Sequence, residues 1–378
     1  MKDFINVGLL GSGTVGGGVI KVLENNGEMI ARKVGKPIKL TKVFGRNIEK
    51  MSANFGSAYE YTTNVDDILE DPEIDIVVEL IGREHPAMEY MSKALEQGKQ
   101  VVTANKDVIA HYGKKLFDIA GEHNADIMFE GAVCGGIPII GPMKSTMAAN
   151  EVKSLMGIVN GTTNYMLSKM TDEGLDYASV LKEAQEKGYA ESDPTADVGG
   201  FDAARKAVIL ASIAFNMPIS LKDVEIDGIQ NVDACDIEYA ARLGYAVKLL
   251  AIAKNDPVNG VSISVGPTMI PKKHPLASVG GAYNAVFVNG DAIGEAMFLG
   301  LGAGRFPTAS SVVGDIMEAA RNLINNDKGR IGFTCYKEKK ICSAEKNVYP
   351  AYIRLNVLDK PGVLAAISSV FGSQSVSI

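Results

Sequence analysis

The stretch that decides the fold is Phe4-Ile5-Asn6-Val7-Gly8-Leu9-Leu10-Gly11-Ser12-Gly13-Thr14-Val15-Gly16. Phe4 to Leu10 is an apolar, strand-forming run, the glycines follow at once, and a helical pattern then continues to about Asn25. Each glycine has a mechanical reading. Gly11 permits the tight turn, Gly13 lets backbone approach a pyrophosphate, and Gly16 lets the helix lie close on the strand. Glycines alone would describe any tight turn. Their position between a strand and a helix is what argues for a dinucleotide site.

Working outward, 38–44, 74–81, 100–103 and 126–129 read as short buried strands, with helical patterns over 86–97 and 113–123. Strands alternating with helices give an α/β fold, a Rossmann-type doubly wound parallel sheet covered on both faces, over residues 1–141. Past Gly141 the rhythm changes. A strand over 152–159 precedes helices over 164–170, 177–187 and 201–215, a further helix through 237–254, and strands over 261–265 and 285–288. Residues 142–304 are therefore expected to form an α+β domain. The segment 300–322 reads as a glycine-rich turn and a helix starting near Pro307, and a helix from 305–325 is expected to complete the first domain. A tail over 350–378, with a strand over 352–358 and a helix over 362–371, is too small to fold alone.

The chain has 378 residues, 46% hydrophobic and 22% charged, which predicts two or three folded domains rather than disorder. A net charge of -7 leaves no basic footprint for nucleic acid or anionic lipid. Met1 to Leu10 runs straight into a strand, so no secretion signal is expected, and the most apolar stretch, 207–219, is broken by Ser212, Asn216 and Pro218, so no membrane span is expected either. Cys134, Cys235, Cys335 and Cys342 lack zinc or redox spacing and read as reduced thiols of a cytoplasmic protein. His85, His111, His123 and His274 stand in no catalytic context.

The acid that binds a ribose about 20 residues beyond the glycines is missing; Ala31, Arg32 and Lys33 stand there. The second strand ends instead at Gly45-Arg46. Arg46 either meets a 2′-phosphate, favouring NADP with NAD possible, or is a solvated arginine. Val102-Thr103-Ala104-Asn105-Lys106 ends a later strand, where such sheets hold ligands, although a plain surface lysine at a helix start fits Lys106 too. Glu130 to Pro138 suits a plain connection or a monovalent-cation turn; spacing favours the plain connection, with Cys134 as a packing residue. Gly300 to Ser310 either closes over a cofactor or simply enters a helix.

The block from Gly188 to Lys206 is the most informative for chemistry. Asp202 and Lys206 are four apart on one helix face, and nine of the twelve residues 203–214 are apolar, so little solvated face remains for an ordinary surface ion pair. A lysine desolvated beside a carboxylate is expected to have its pKa tuned toward proton donation near neutrality, and proton donation is the chemistry that reduction of a carbonyl requires.

In this order the motifs resemble the homoserine dehydrogenase family. The resemblance rests on Thr103 to Lys106, Glu130 to Pro138, Asn160-Gly161-Thr162-Thr163-Asn164, Glu191 to Lys206 and Gly302 to Ser310. It implies interconversion of L-aspartate 4-semialdehyde and L-homoserine with a nicotinamide cofactor. It implies Lys206 as proton donor with Lys106 as a competing candidate, and Glu191, Asp197 and Asp202 as substrate-binding residues. It brings Thr14, Val15, Lys106, Gly188 and Gly304 to the cofactor, and makes Glu130, Val133, Gly135 and Ile137 ligands of a sodium ion, reversing the preference from spacing. It also implies a homodimer or homotetramer. Tyr352 to Leu364 resembles the opening of an amino-acid-sensing ACT domain, of which only the first strand, first helix and start of a second strand are expected. A different nicotinamide-dependent reductase and a non-enzymatic sensor are the rival readings; a sensor would need no lysine at the cofactor.

Overall fold

The computed structural model describes residues 3–327, 334–343, 346–347 and 349–377. Residues up to 344 form one unit and those from 345 onward a second. In the first unit the chain runs β1 (Ile5–Leu10), α1 (Thr14–Val34), β2 (Ile38–Phe44), α2 (Ile48–Phe55), β3 (Glu60–Thr62), α3 (Asp66–Leu69), β4 (Ile76–Glu79), α4 (Ala87–Glu96), β5 (Gln100–Thr103), α5 (Lys106–Glu122) and β6 (Ile127–Met128). These strands form one parallel sheet in the order β3-β2-β1-β4-β5-β6. The order reverses between β1 and β4, the place where doubly wound sheets open a ligand crevice.

Both faces of this sheet are covered, which is why its central strands are apolar without interruption. Val7 and Leu9 pack with Val19, Ile20 and Ile316 on one face, while Leu10 and Val77 pack with Met91 and Leu116 on the other. Ile316 belongs to α12 (Arg305–Asn325), which returns from far along the sequence to lie on α1. Two glycines let α1 pack closely, Gly16 on the turn after β1 and Gly18 on α12. A Cβ on Gly16 would lie 2.0 Å from the Gly11 carbonyl oxygen, and one on Gly18 would lie 2.6 Å from that of Arg305.

Between these segments the chain forms α6 (Ile140–Lys144), β7 (Val152–Ile158), α7 (Gly161–Glu173), α8 (Tyr177–Glu186), α9 (Thr195–Val198), α10 (Phe201–Phe215), β8 (Glu225–Ile226), α11 (Ala234–Arg242), β9 (Tyr245–Asp256), β10 (Gly260–Pro271), β11 (Tyr283–Gly290) and β12 (Gly294–Leu301). Their strands make a mixed sheet in the order β12-β11-β7-β9-β10-β8. The apolar helix α10 packs against β7, β9 and β10 of this sheet and, through other residues, against α5 of the first layer.

Two expectations are corrected, and one hairpin strand lies outside them. The helix expected through 237–254 stops at Arg242; Gly244, at φ +84°, breaks it, and β9 pairs with both β10 and β7. As a central strand buried on both faces, β9 lost the alternation that marks a strand. The hairpin strand β12 was not expected at all, although its residues alternate in exposure along its length. In the second unit, α13 (Val363–Ser373) forms, but 352–358 is not a strand of any ladder among the described residues.

Candidate active site

At the crevice, Gly11 takes φ +101° and its N–H donates to the Phe44 carbonyl. Gly13 caps α1 with no side-chain hydrogen bond, the first turn holds no acidic residue, and nothing lies within 4 Å of where a Cβ on Gly13 would sit. The helix therefore presents free backbone N–H groups and a positive dipole end to an open cradle, and a dinucleotide pyrophosphate fits it. Thr14 and Val15 open the helix beside it. Arg46, just past β2, is exposed. Gly188, at φ +75°, ends the turn after α8, and Gly304, at φ +122°, caps α12, again without a side-chain cap.

The densest constellation gathers on Asp202, in the first turn of α10. Lys206 Nζ lies 2.7 Å from Asp202 Oδ2 and donates a second bond, also 2.7 Å, to the Val159 carbonyl. Lys106 Nζ, from the first residue of α5, lies 3.3 Å from Asp202 Oδ1. Asn160 Nδ2 bridges Asp202 Oδ2 at 2.9 Å and Asp197 Oδ1 at 2.7 Å, while its Oδ1 accepts from the Thr163 N–H and caps α7. Burial would push the Asp202 carboxyl up, but the ammonium groups of Lys206 and Lys106 overcome it and hold it well below the usual carboxylate range. Burial likewise pulls Lys206 down and the Asp202 carboxylate more than restores it, so Lys206 sits above the ordinary lysine value. The expected tuning toward neutrality is thus reversed, because the carboxylate is in direct contact. Asp197 is pushed up by burial.

Beside this cluster, the loop carrying Gly188 and Glu191 is tied down by Thr162 Oγ1, which donates to the Tyr189 carbonyl at 2.6 Å, and by Gln185, which donates to that of Glu191. The Glu191 carboxylate is exposed and makes no hydrogen bond to the Asp202 group among the described residues.

Glu130 was expected at a cation turn. Its Oε1 accepts from the N–H groups of Ile139 and Ile140 at 2.6 and 2.8 Å, and its Oε2 from Gly141 at 2.6 Å. Cys134 and Gly135 both take positive φ, 56° and 44°, and the Gly135 carbonyl accepts from Ser311 Oγ. With the carboxylate engaged, only main-chain oxygens of this turn fit a cation, and among the described residues no cluster of three or more His, Cys, Asp or Glu suits a metal. Burial pushes the Cys134 thiol up to about 11, as a packing residue requires. Nearby, a cavity of about 90 Å³ is lined by residues including Asp126, Glu130, Lys144, Asp315 and Glu318. Burial pulls Lys144 down to about 8 and pushes Asp315 well above the carboxylate range.

Two polar residues at these sites have no role assigned from the sequence. Asn160 had a helix-cap signature, followed by Thr162 and Thr163. Glu79 is a carboxylate closing an otherwise apolar strand. It is fully buried; its Oε1 accepts from the Ile81 N–H at 2.7 Å and its Oε2 from Thr103 Oγ1 at 2.8 Å.

Comparison with known proteins agrees with this arrangement. A family model described as "Homoserine dehydrogenase" matches residues 138–317, and one described as "Homoserine dehydrogenase, NAD binding domain" matches 11–130. The homoserine dehydrogenase of Bacillus subtilis is 42% identical over 373 residues, 99% of this chain and 86% of that one. That of Corynebacterium glutamicum is 42% identical over 379 residues, 99% of this chain and 84% of that one. A solved homoserine dehydrogenase from Thiobacillus denitrificans superposes with a TM-score of 0.88 at 42% identity, covering 98% of this chain and 87% of that one. A hyperthermophilic archaeal homoserine dehydrogenase in complex with NADPH gives a TM-score of 0.71 at 28% identity, over 84% of this chain and 97% of that one. The crevice accordingly serves NAD(P), and with both layers matched over nearly their whole length, the chain belongs to the homoserine dehydrogenase family.

Proposed function

We propose that Lys206 is the proton donor of the reaction, with Asp202 holding its ammonium in place. As a homoserine dehydrogenase the chain carries out the reversible NAD(P)H-dependent reduction of L-aspartate 4-semialdehyde to L-homoserine, a step toward threonine, methionine and isoleucine. The bound cofactor supplies or takes up the hydride. The protein's share is positioning, charge stabilisation and one proton transfer. In reduction the Lys206 ammonium gives its proton to the oxygen of the aldehyde as that carbonyl becomes an alcohol; in oxidation the amine takes it back. The observation that carries this reading is one carboxylate shared by two lysines, at 2.7 and 3.3 Å. Because Asp202 raises Lys206, the acid is protonated at rest, ready for reduction.

Lys106, at the carboxyl end of β5, acts beside the cofactor and the reacting carbonyl. Glu191 and Asp197, with Asp202, receive the amino acid end of the substrate. Gly11, Gly13, Thr14, Val15 and Gly16 hold the pyrophosphate, and Thr103, Gly188 and Gly304 border the nicotinamide. Arg46, with no acid at the end of β2, supports NADP over NAD. A sodium ion would take the main-chain oxygens of Glu130, Val133, Gly135 and Ile137, in keeping with the left-handed pair that turns this loop. The cofactor domain comprises 1–141 with the helix 305–325, and the catalytic and dimerisation domain 142–304. Exposed Met297, Leu299 and Leu301 on the edge strand β12, with Tyr283 beside them, support a homodimer or larger assembly. The cytoplasm is the setting such a reaction suits.

The test follows formation of reduced cofactor with L-homoserine, separately with NADP and NAD. Faster turnover with NADP supports the Arg46 assignment and equal rates overturn it. A wild-type rate in Lys206→Ala would overturn the proton-donor assignment.

A further inference from the structure

We propose that Glu79 is a positioning residue for the reaction: through Thr103 and Asn105 it sets where α5 begins, and so aims the Lys106 ammonium. The inference rests on the reading of Lys106 as a residue that acts at the reacting carbonyl. Glu79 is the last residue of β4, next to the point where the strand order reverses, and it is completely buried. A carboxylate in such a place is costly unless every oxygen is bonded.

Its bonds run to two different segments. One oxygen takes the Ile81 N–H and so fixes the loop that leaves β4. The other takes the hydroxyl of Thr103, the last residue of β5, and that same hydroxyl oxygen accepts from the Asn105 N–H at 2.9 Å. Asn105 then caps α5, accepting from the Val108 N–H at 3.3 Å, and donates its Nδ2 to the Arg83 carbonyl at 2.8 Å. That second bond holds Arg83 at φ +91°, a backbone state that glycine favours. Lys106 is the next residue after Asn105, and its Nζ reaches Asp202 across the crevice. An apolar residue in place of Glu79 would fill β4 equally well but would leave the loop after β4 and the start of α5 untied from each other. Positioning of this kind is rate-determining where small displacements matter, since a shift of about 1 Å at a reacting group costs on the order of 100-fold.

The experiment is a double-mutant cycle on the full chain: Glu79→Gln, Lys106→Ala and the pair, read as kcat and KM for homoserine and cofactor, with thermal unfolding followed alongside. Gln keeps the shape but turns an amide N–H toward Ile81, which breaks that link, or toward Thr103, whose hydroxyl must then reverse and accept, so the charge-assisted bond from Thr103 is lost. We expect Glu79→Gln to lower kcat about tenfold or more, and to lower it by less than about twofold once Lys106 is already alanine. Thr103→Val, which cuts the link and leaves the carboxylate untouched, should behave the same way and carries the test if Glu79→Gln does not fold. Penalties that multiply in the double variant would overturn the proposal while leaving the Lys106 reading intact. A Lys106→Ala variant with unchanged kcat and KM would overturn the Lys106 reading, and the proposal with it.

Discussion

Asp202 with its two lysines, and the cavity that holds Lys144 and Asp315, both bury opposite charges, yet their groups shift in opposite directions. In the first, Asp202 is driven down and Lys206 up, each toward its charged form. In the second, Lys144 is driven down and Asp315 up, each toward neutrality. Burial acts on all four alike. In the first, Lys206 is hydrogen-bonded to Asp202 at 2.7 Å, and a third donor, Asn160, completes the carboxylate. Attraction exceeds the loss of hydration at Asp202 and Lys206, whereas burial prevails at Lys144 and Asp315. A fold can therefore keep one cluster charged for chemistry while its neighbour hovers near neutrality.

Four changes would break or sharpen this contrast. Lys206→Ala should lower kcat about 100- to 10,000-fold, the usual range for a positioned acid, with cofactor binding retained in a fluorescence titration. Asp202→Ala should leave Lys206 buried without its carboxylate and cost about 3–5 kcal/mol in chemical denaturation.

Lys144→Met acts on the other cluster. Folded protein holds Lys144 neutral above about pH 8, whereas the unfolded chain keeps it protonated to about 10.5. The unfolded chain thus binds the extra proton in that window, and stability should climb with pH across it by about 3 kcal/mol. Methionine should abolish that climb; an unchanged slope in urea titrations from neutral to alkaline pH would show that burial does not control Lys144. The smallest effect belongs to Arg46→Ala, an exposed position: KM for NADP should rise about tenfold, in line with loss of one charge-assisted hydrogen bond, and KM for NAD should stay put.

Much of this was legible in the sequence where local chemistry and tertiary structure agree. The run from Phe4 to Gly16 names its strand, turn and helix because the glycines serve both the bend and the packing, and α10 ends where Asn216 and Pro218 stop it. Asp202 and Lys206 were found because a helix with so little solvated face has nowhere to put an idle charge. Failures came where neighbours overrule local pattern. In β9 burial on both faces erases alternation, and Gly244 is the one local mark of the break. Lys206 was expected near neutrality because spacing shows that a carboxylate is close without showing that it touches. Glu79 was missed because its partners, Ile81, Thr103 and through them Asn105, converge only when two parallel strands lie side by side. Tyr352 to Leu358 has strand-forming residues, but propensity alone does not assign them to a sheet.

The return of α12 to α1 also has a consequence for how the protein is made. Arg305 and the Gly17 carbonyl it bonds are 288 residues apart in sequence. At about 5–20 residues per second, a ribosome exposes the apolar flank of α1 for roughly 15–60 s before the helix that covers it has been synthesised. The cofactor layer, which emerges before the other layer, is thus among the last to be sealed, and during that interval it is a surface for chaperones.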